Sequence, residues 1–173
     1  MKDTKKILLT GPPRIGKTTA IKKIAEIIKE KNSIKGFYTE EIREKGKRVG
    51  FKIVGFHGEE DVFAHVSIRS KYKVGKYGVD ISVLDRMVDS MYPLSKEDIV
   101  IIDEIGKMEC FSERFRKAVL SVLKEKNPFI GTIALKGNAF IEKIKKLPGI
   151  KIIHVTEENR DKLPFQILDF VKI

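Results

Sequence analysis

The sequence predicts an α/β fold: a mostly parallel sheet between two layers of helices, with an antiparallel β-meander inserted over about residues 36–66. Two observations carry this. Short continuous apolar runs ("ILLT", "IVII", "FIGTIAL", "IKIIHV") alternate along the chain with segments of helical period. That is the pattern of a parallel sheet buried on both faces. Between residues 36 and 66 the pattern changes to extended segments joined by polar turns, which reads as antiparallel pairing. The 173 residues, 42% of them hydrophobic, suit one domain spanning 1–173, and no repeat, low-complexity tract or linker divides it.

The elements follow in order. Residues 6–10 form the first buried strand. A Gly-rich turn leads into a helix whose Ile21, Ile24, Ala25 and Ile28 make an i, i+3, i+4, i+7 stripe, ending near Asn32. Extended segments at 36–43, 48–56 and 62–66 make the meander, with polar turns at 44–47 and 57–61. "IRSKYKVGKYGVD" is a basic, Gly-punctuated loop, long for a connector and so a candidate lid. A helix over 81–91 presents Ile81, Leu84, Val88 and Met91 on one face. Residues 99–102 are a second buried strand. A helix over 113–126 turns Phe115, Ala118, Val119 and Val122 inward. The strand "FIGTIAL", a helix over 139–147, the strand "IKIIHV" and a short closing helix from Pro164 complete the chain.

Composition bounds the function. The net charge is +11, yet most lysines interleave with glutamates, as in Lys22, Lys23, Glu26, Lys29 and Glu30. That reads as solvated helix faces more than as a nucleic-acid or membrane surface. The single cysteine, Cys110, makes no internal disulfide, and no histidine stands at metal-ligand spacing from it. No apolar run reaches membrane-spanning length. The polar opening leads straight into a strand, so no signal peptide is expected and a cytoplasmic protein is. No feature fixes an oligomeric state; a monomer is favoured. High Lys and Glu, one Gln and no Trp lean toward a thermophile.

Gly11-Pro12-Pro13-Arg14-Ile15-Gly16-Lys17-Thr18 fits G-x-x-x-x-G-K-[ST] between a strand and a helix, the P-loop or Walker A arrangement. Backbone N–H groups at a helix start are unpaired and hold phosphates. Pro12 and Pro13 lack that group, so the cradle falls to Arg14, Ile15, Gly16, Lys17 and Thr18, with Thr19 following. Lys17 is expected to reach the β- and γ-phosphates and the Thr18 hydroxyl to ligate Mg²⁺. In "IVIIDEIGKME", Asp103 ends a strand expected beside the first one and is placed to hold the metal. Glu104 is placed to orient or deprotonate an attacking water. Lys107 and Glu109 either close the pocket or pair with each other. The fold class is thus a P-loop three-layer sandwich and the partners are nucleoside triphosphates.

The stretches "GPPRIGKTT", "GFYTEEIR", "RVGFKIV", "VGKYGVD", "DEIGKMECF" and "GTI", in this order, resemble the small P-loop nucleoside-triphosphatases of thermophiles, the THEP1 type, related to the human cancer-related nucleoside-triphosphatase. The resemblance covers about residues 7–163. It implies a RecA- or kinase-like α/β sandwich and slow, Mg²⁺-dependent hydrolysis of several nucleoside triphosphates to the diphosphate and phosphate. By motif match it also implies that residues 11–18, together with Val100, Ile101, Ile102, Asp103, Glu104, Ile105, Gly106 and Lys107, line the nucleotide.

Other readings stay open. Arg43, Arg48 and Arg69 sit in or near the meander and the basic loop, where one of them is a candidate arginine finger in cis; without one, turnover is slow. No Asn-Lys-x-Asp element reads the base, in keeping with loose base specificity across ATP, GTP, CTP and UTP. A nucleotide or nucleoside kinase has the same size and fold, with the meander and basic loop as acceptor pocket and lid. A nucleic-acid-coupled ATPase is the third reading, motivated by the charge.

Overall fold

The computed structural model describes residues 5–171. The polar lead-in at 1–4 and the last two residues of the expected domain lie outside them. The element order is β1 Lys6–Thr10, α1 Lys17–Ile28, β2 Ile34–Glu44, β3 Lys47–Gly55, β4 Glu60–His65, β5 Lys73–Val74 and β6 Tyr77–Val79. There follow α2 Ile81–Ser90, β7 Ile99–Ile105, a 3-10 turn Glu109–Phe111, α3 Glu113–Lys124, β8 Phe129–Ile133, α4 Ala139–Lys145, β9 Lys151–His154 and α5 Leu163–Val171. All nine strands join one sheet in the order β5-β6-β4-β3-β2-β7-β8-β1-β9.

Alternation along the central strands explains the three layers. Ile7 and Leu9 of β1, with Ile99 and Ile101 of β7, pack with the apolar stripes of α1 and α5. Leu8, Val100 and Ile102 point the other way, toward α2, α3 and α4. Successive side chains leave opposite faces of a strand, so a strand buried on both sides must be apolar throughout. Phe37, Phe63, Phe115 and Phe129 are fully buried on the second face, and Phe37 and Phe115 stack at 6.2 Å.

Two expectations change. First, β7 does not lie beside β1; β8 runs between them and pairs in parallel with both. Second, the basic loop at 68–80 contains the hairpin β5–β6, which pairs with β4 and extends the sheet. Buried Tyr77 and Val79 anchor it to the core, so it is a fixed edge and not a free lid. The meander forms as expected, with β2, β3 and β4 antiparallel. Strand β2 also pairs in parallel with β7, from Ile34 opposite Ile99 to Tyr38 opposite Asp103, while its pairing with β3 runs from Phe37 onward. One continuous strand therefore couples the two halves. The face of α2 is the expected one: Leu84, Val88 and Met91 are buried, and half-buried Ile81 packs against the same core.

Gly36 lies in the part of β2 paired with β7, opposite Ile101, one residue before the pairing with β3 begins. Its φ of 120° suits glycine, and a Cβ there would lie 1.8 Å from the carbonyl oxygen of Ile101. The neighbour is backbone and cannot rotate away. Gly36→Ala is expected to cost at least about 2 kcal/mol through backbone strain and overpacking, read as a lowered thermal midpoint. An unchanged midpoint would show that β2 and β7 separate freely.

Candidate active site

Three of the helices start with a side-chain cap: Asp80 accepts from the Ser82 N–H at 3.0 Å, Ser112 from the Phe115 N–H at 2.9 Å and Asn138 from the Ile141 N–H at 3.0 Å. Helix α1 starts differently. Gly16, with φ 113°, takes the cap position and supplies no side chain. The first N–H groups of α1 thus face a site able to accept an anion. Gly11 makes the tight approach at the other end of the loop: a Cβ there would lie 3.1 Å from the Val155 carbonyl oxygen. Between them Pro12, Pro13 and Arg14 are exposed, Arg14 with φ 64°, while Ile15 tucks back onto the core beneath α1. The Lys17 ammonium donates to the carbonyls of Gly11 at 2.9 Å and Pro12 at 3.0 Å, bridging the loop.

The second half of the site comes from a bulge in β7. Ile102 pairs with Gly131 and Ile105 with Ile133, so Asp103 and Glu104 together oppose one residue, Thr132. A bulge of this kind re-aims side chains next to it. Asp103 is 1% exposed. The Thr18 hydroxyl donates to its Oδ2 at 2.7 Å and the Thr132 hydroxyl to its Oδ1. Burial raises the Asp103 pKa, against the pull of both hydroxyls and of Lys17. Glu104 reaches the cleft instead, and its pKa is raised by burial and then by the Asp103 charge.

Lys17 and Glu104 stand where two cavities meet. The outer groove, about 690 Å³, runs from Gly16, Thr18 and Thr19 to Thr39, Glu40, Glu41, Arg43 and Arg48 on the meander. The inner chamber, about 540 Å³, lies between the meander and the loops after β7 and β8, and Gly106, Lys107 and Glu109 line it. The meander wall is fastened by charge. Lys22 pairs with Glu40, and Lys52 bridges Glu40 at 3.2 Å and Glu60 at 2.9 Å. Hydrogen bonding from Lys22 is the main reason the Glu40 pKa falls. Burial pushes Glu41 upward, but Arg48 and Arg43 outweigh it and hold the carboxyl below its ordinary value. Arg48 also donates to the Tyr77 hydroxyl at 3.0 Å.

The predicted residues thus separate. Residues 11–19 surround the helix start, and Asp103, Glu104, Gly106 and Lys107 come to it from β7. The side chains of Val100, Ile101, Ile102 and Ile105 do not: they are core, at most 1% exposed, because β7 is central and covered on both faces. Arg43 and Arg48 line the outer groove; Arg69 is exposed and lines neither cavity. Among the described residues Lys107 and Glu109 form no ion pair. Cys110 is buried, and burial lifts its thiol to about 12. Sequence reasoning missed Thr132, whose signal was the hydroxyl in "GTI". It also set Lys22 among solvated lysines, where in fact it crosses to Glu40.

Of the two roles open to Glu109, it takes the first: it lines the inner chamber and pairs with no lysine among the described residues. Its carboxyl is buried beside Gly106, where a Cβ would meet Glu109 Oε2 at 2.7 Å and Glu104 Oε1 at 3.1 Å. Burial first, then the charges of Glu104 and Asp103, raise its pKa to about 8. The folded protein therefore keeps a proton that the unfolded chain has released, and the stability this gives is complete below the ordinary carboxylate value and lost as pH rises through about 8. Glu109→Gln is expected to flatten part of the fall in thermal midpoint between about pH 5 and pH 9. Parallel curves for the two proteins would show Glu109 ionised throughout.

Comparison with known proteins identifies the family. The family model described as NTPase matches residues 6–168. The nucleoside-triphosphatase THEP1 of Thermotoga sp. (strain RQ2) is 43% identical over 169 residues, covering 96% of this chain and 95% of that protein. The human cancer-related nucleoside-triphosphatase is 37% identical over 175 residues, covering 91% of each. The crystal structure of THEP1 from the hyperthermophile Aquifex aeolicus superposes with a TM-score of 0.87 at 35% identity, covering 97% of this chain and 99% of that one. With its helix start free of any cap, its carboxylate pair on the facing strand and this similarity over nearly the whole length, the chain belongs to the NTPase family.

Proposed function

We propose that the chain is a Mg²⁺-dependent nucleoside-triphosphate phosphohydrolase of the cytoplasm. It converts the triphosphate and water to the diphosphate and phosphate, slowly and with broad base specificity. The observation that carries this is the meeting of Lys17, the uncapped start of α1 and Glu104 in one groove. The THEP1 and cancer-related relatives, named nucleoside-triphosphatases, support the same reaction.

The phosphates lie along the loop and the α1 N–H groups. Lys17 exchanges the Gly11 and Pro12 carbonyls for phosphate oxygens and takes up charge that develops on the transferring group. Glu104 orients the water and accepts its proton; burial and the Asp103 charge raise its pKa and make it a stronger base than an ordinary carboxylate. Thr18 and Asp103 fit a Mg²⁺ site, since both are oxygen donors and already meet at 2.7 Å. When bound there the ion neutralises phosphate charge. Arg48, held by Glu41 and Tyr77 on the groove wall, is the best placed of the candidate fingers.

Phosphate release from ATP, GTP, CTP and UTP tests the reading. Chelation is expected to abolish it, and Lys17→Ala to lower it by about 10²-fold or more. Glu104→Gln is expected to lower it by about 10²- to 10⁴-fold while leaving nucleotide binding intact. The wild-type rate should rise with pH as Glu104 deprotonates above the ordinary carboxylate range. Full activity in Glu104→Gln would remove the assigned base and the mechanism with it.

A further inference from the structure

A hydrolase needs room for one water beside the γ-phosphate, and a water occupies about 30 Å³. The inner chamber holds about 540 Å³, within the roughly 300–1,000 Å³ of small-molecule sites. It continues from the outer groove: the two cavities share Lys17 and Glu104 together with Pro13, Thr39, Arg48 and Phe51, while Gly106, Met108, Leu135 and Lys136 line the chamber and not the groove. Its walls are apolar at Phe51, Met108 and Leu135, and Lys107 and Lys136 add cations. The walls are held in place. Arg48 ties β3 to the hairpin through the Tyr77 hydroxyl at 3.0 Å. Lys145 holds the Leu135 carbonyl at 2.8 Å, and the Ala134 N–H donates to Ile105 at 3.1 Å.

We propose that this chamber binds a second substrate, an anionic alcohol of nucleoside size, and that the protein passes the γ-phosphoryl group to its hydroxyl. The proposal rests on the nucleotide site assigned above. The acceptor oxygen forms a bond to the γ-phosphorus as the bond from that phosphorus to the β,γ-bridging oxygen breaks. The electron pair leaves with the nucleoside diphosphate. The hydroxyl proton passes to Glu104 and from there to solvent. An anionic nucleophile would be repelled by Glu104 and would have no proton to give it. The reacting group is therefore a hydroxyl, and the anion of the acceptor pairs with the Lys107 and Lys136 ammonium groups that line the chamber. Met108 and Leu135 give a flat body apolar surface to lie against.

The test uses the full chain with γ-labelled ATP and Mg²⁺, and nucleosides or nucleoside 3′-monophosphates as acceptors. Both sets offer a free 5′-hydroxyl and only the second carries an anion. Label on the acceptor, free phosphate and ADP are measured together. Label is expected on the 3′-monophosphates, about tenfold faster than on the parent nucleosides, the gain of one good ionic contact. Leu135→Trp narrows the chamber without touching the groove. It should lower transfer by about tenfold or more while ATP hydrolysis stays within about twofold. Lys136→Glu should raise the acceptor KM. ADP and phosphate with no labelled acceptor would overturn the proposal and leave hydrolysis standing. So would acceptors that change phosphate release without taking label, or transfer that survives Leu135→Trp. Equal labelling of nucleosides and 3′-monophosphates would overturn the anionic assignment. No ADP in any mixture would overturn the nucleotide site itself.

Discussion

A carboxylate at 1% exposure holds this site together. A buried charge without partners is costly enough to unfold a domain or to lose its ionisation. Asp103 is satisfied only when α1 brings Thr18 to one oxygen and β8 brings Thr132 to the other. The strand order makes that possible. Because β8 stands between β7 and β1, the helix that leaves β1 must lean across β8 for Thr18 to reach the carboxylate. The start of α1, Asp103 and the β7 bulge are thus fixed by one set of hydrogen bonds, not by three independent ones.

The second constraint is the continuity of β2. The same strand that pairs with β7 carries Glu40 and Glu41 out over the groove and meets β3, where Arg48 sits. Charge along that wall is arranged as a chain in which each acid has two bases: Glu40 between Lys22 and Lys52, Glu41 between Arg43 and Arg48. Surface pairs of this kind contribute little to stability one at a time. Their effect here is positional. They hold the meander against α1, so the two cavities keep their shape around Lys17 and Glu104.

Much of this could be read from the residues. The loop motif and the faces of α1 and α3 follow from local rules, since turn chemistry and period are properties of neighbours in sequence. The alternation of strand and helix gives the layers for the same reason. What could not be read is what depends on strand order. Nothing local says that "FIGTI" runs between the strands carrying Thr10 and Asp103, so Thr132 had no visible partner. The bulge is invisible too, because it is a mismatch between two strands and not a feature of either. The motif match reached over Val100, Ile101 and Ile102, but a central strand turns such residues into the two cores. Lys22 looked solvated because helical period marks its face as outward; β2 folds over that face and supplies Glu40.

The two ends of the sheet carry a further consequence. A nine-stranded sheet is an open row of hydrogen-bonding groups at each margin, the place where neighbouring molecules can zip together. Here one margin is β5, only two residues long and bearing Lys73, and the other is β9, four residues long and bearing exposed Lys151. At the margins the sheet offers an incoming strand few partners and a positive charge at each. Lys73 and Lys151 therefore disfavour edge-to-edge pairing of one sheet with another.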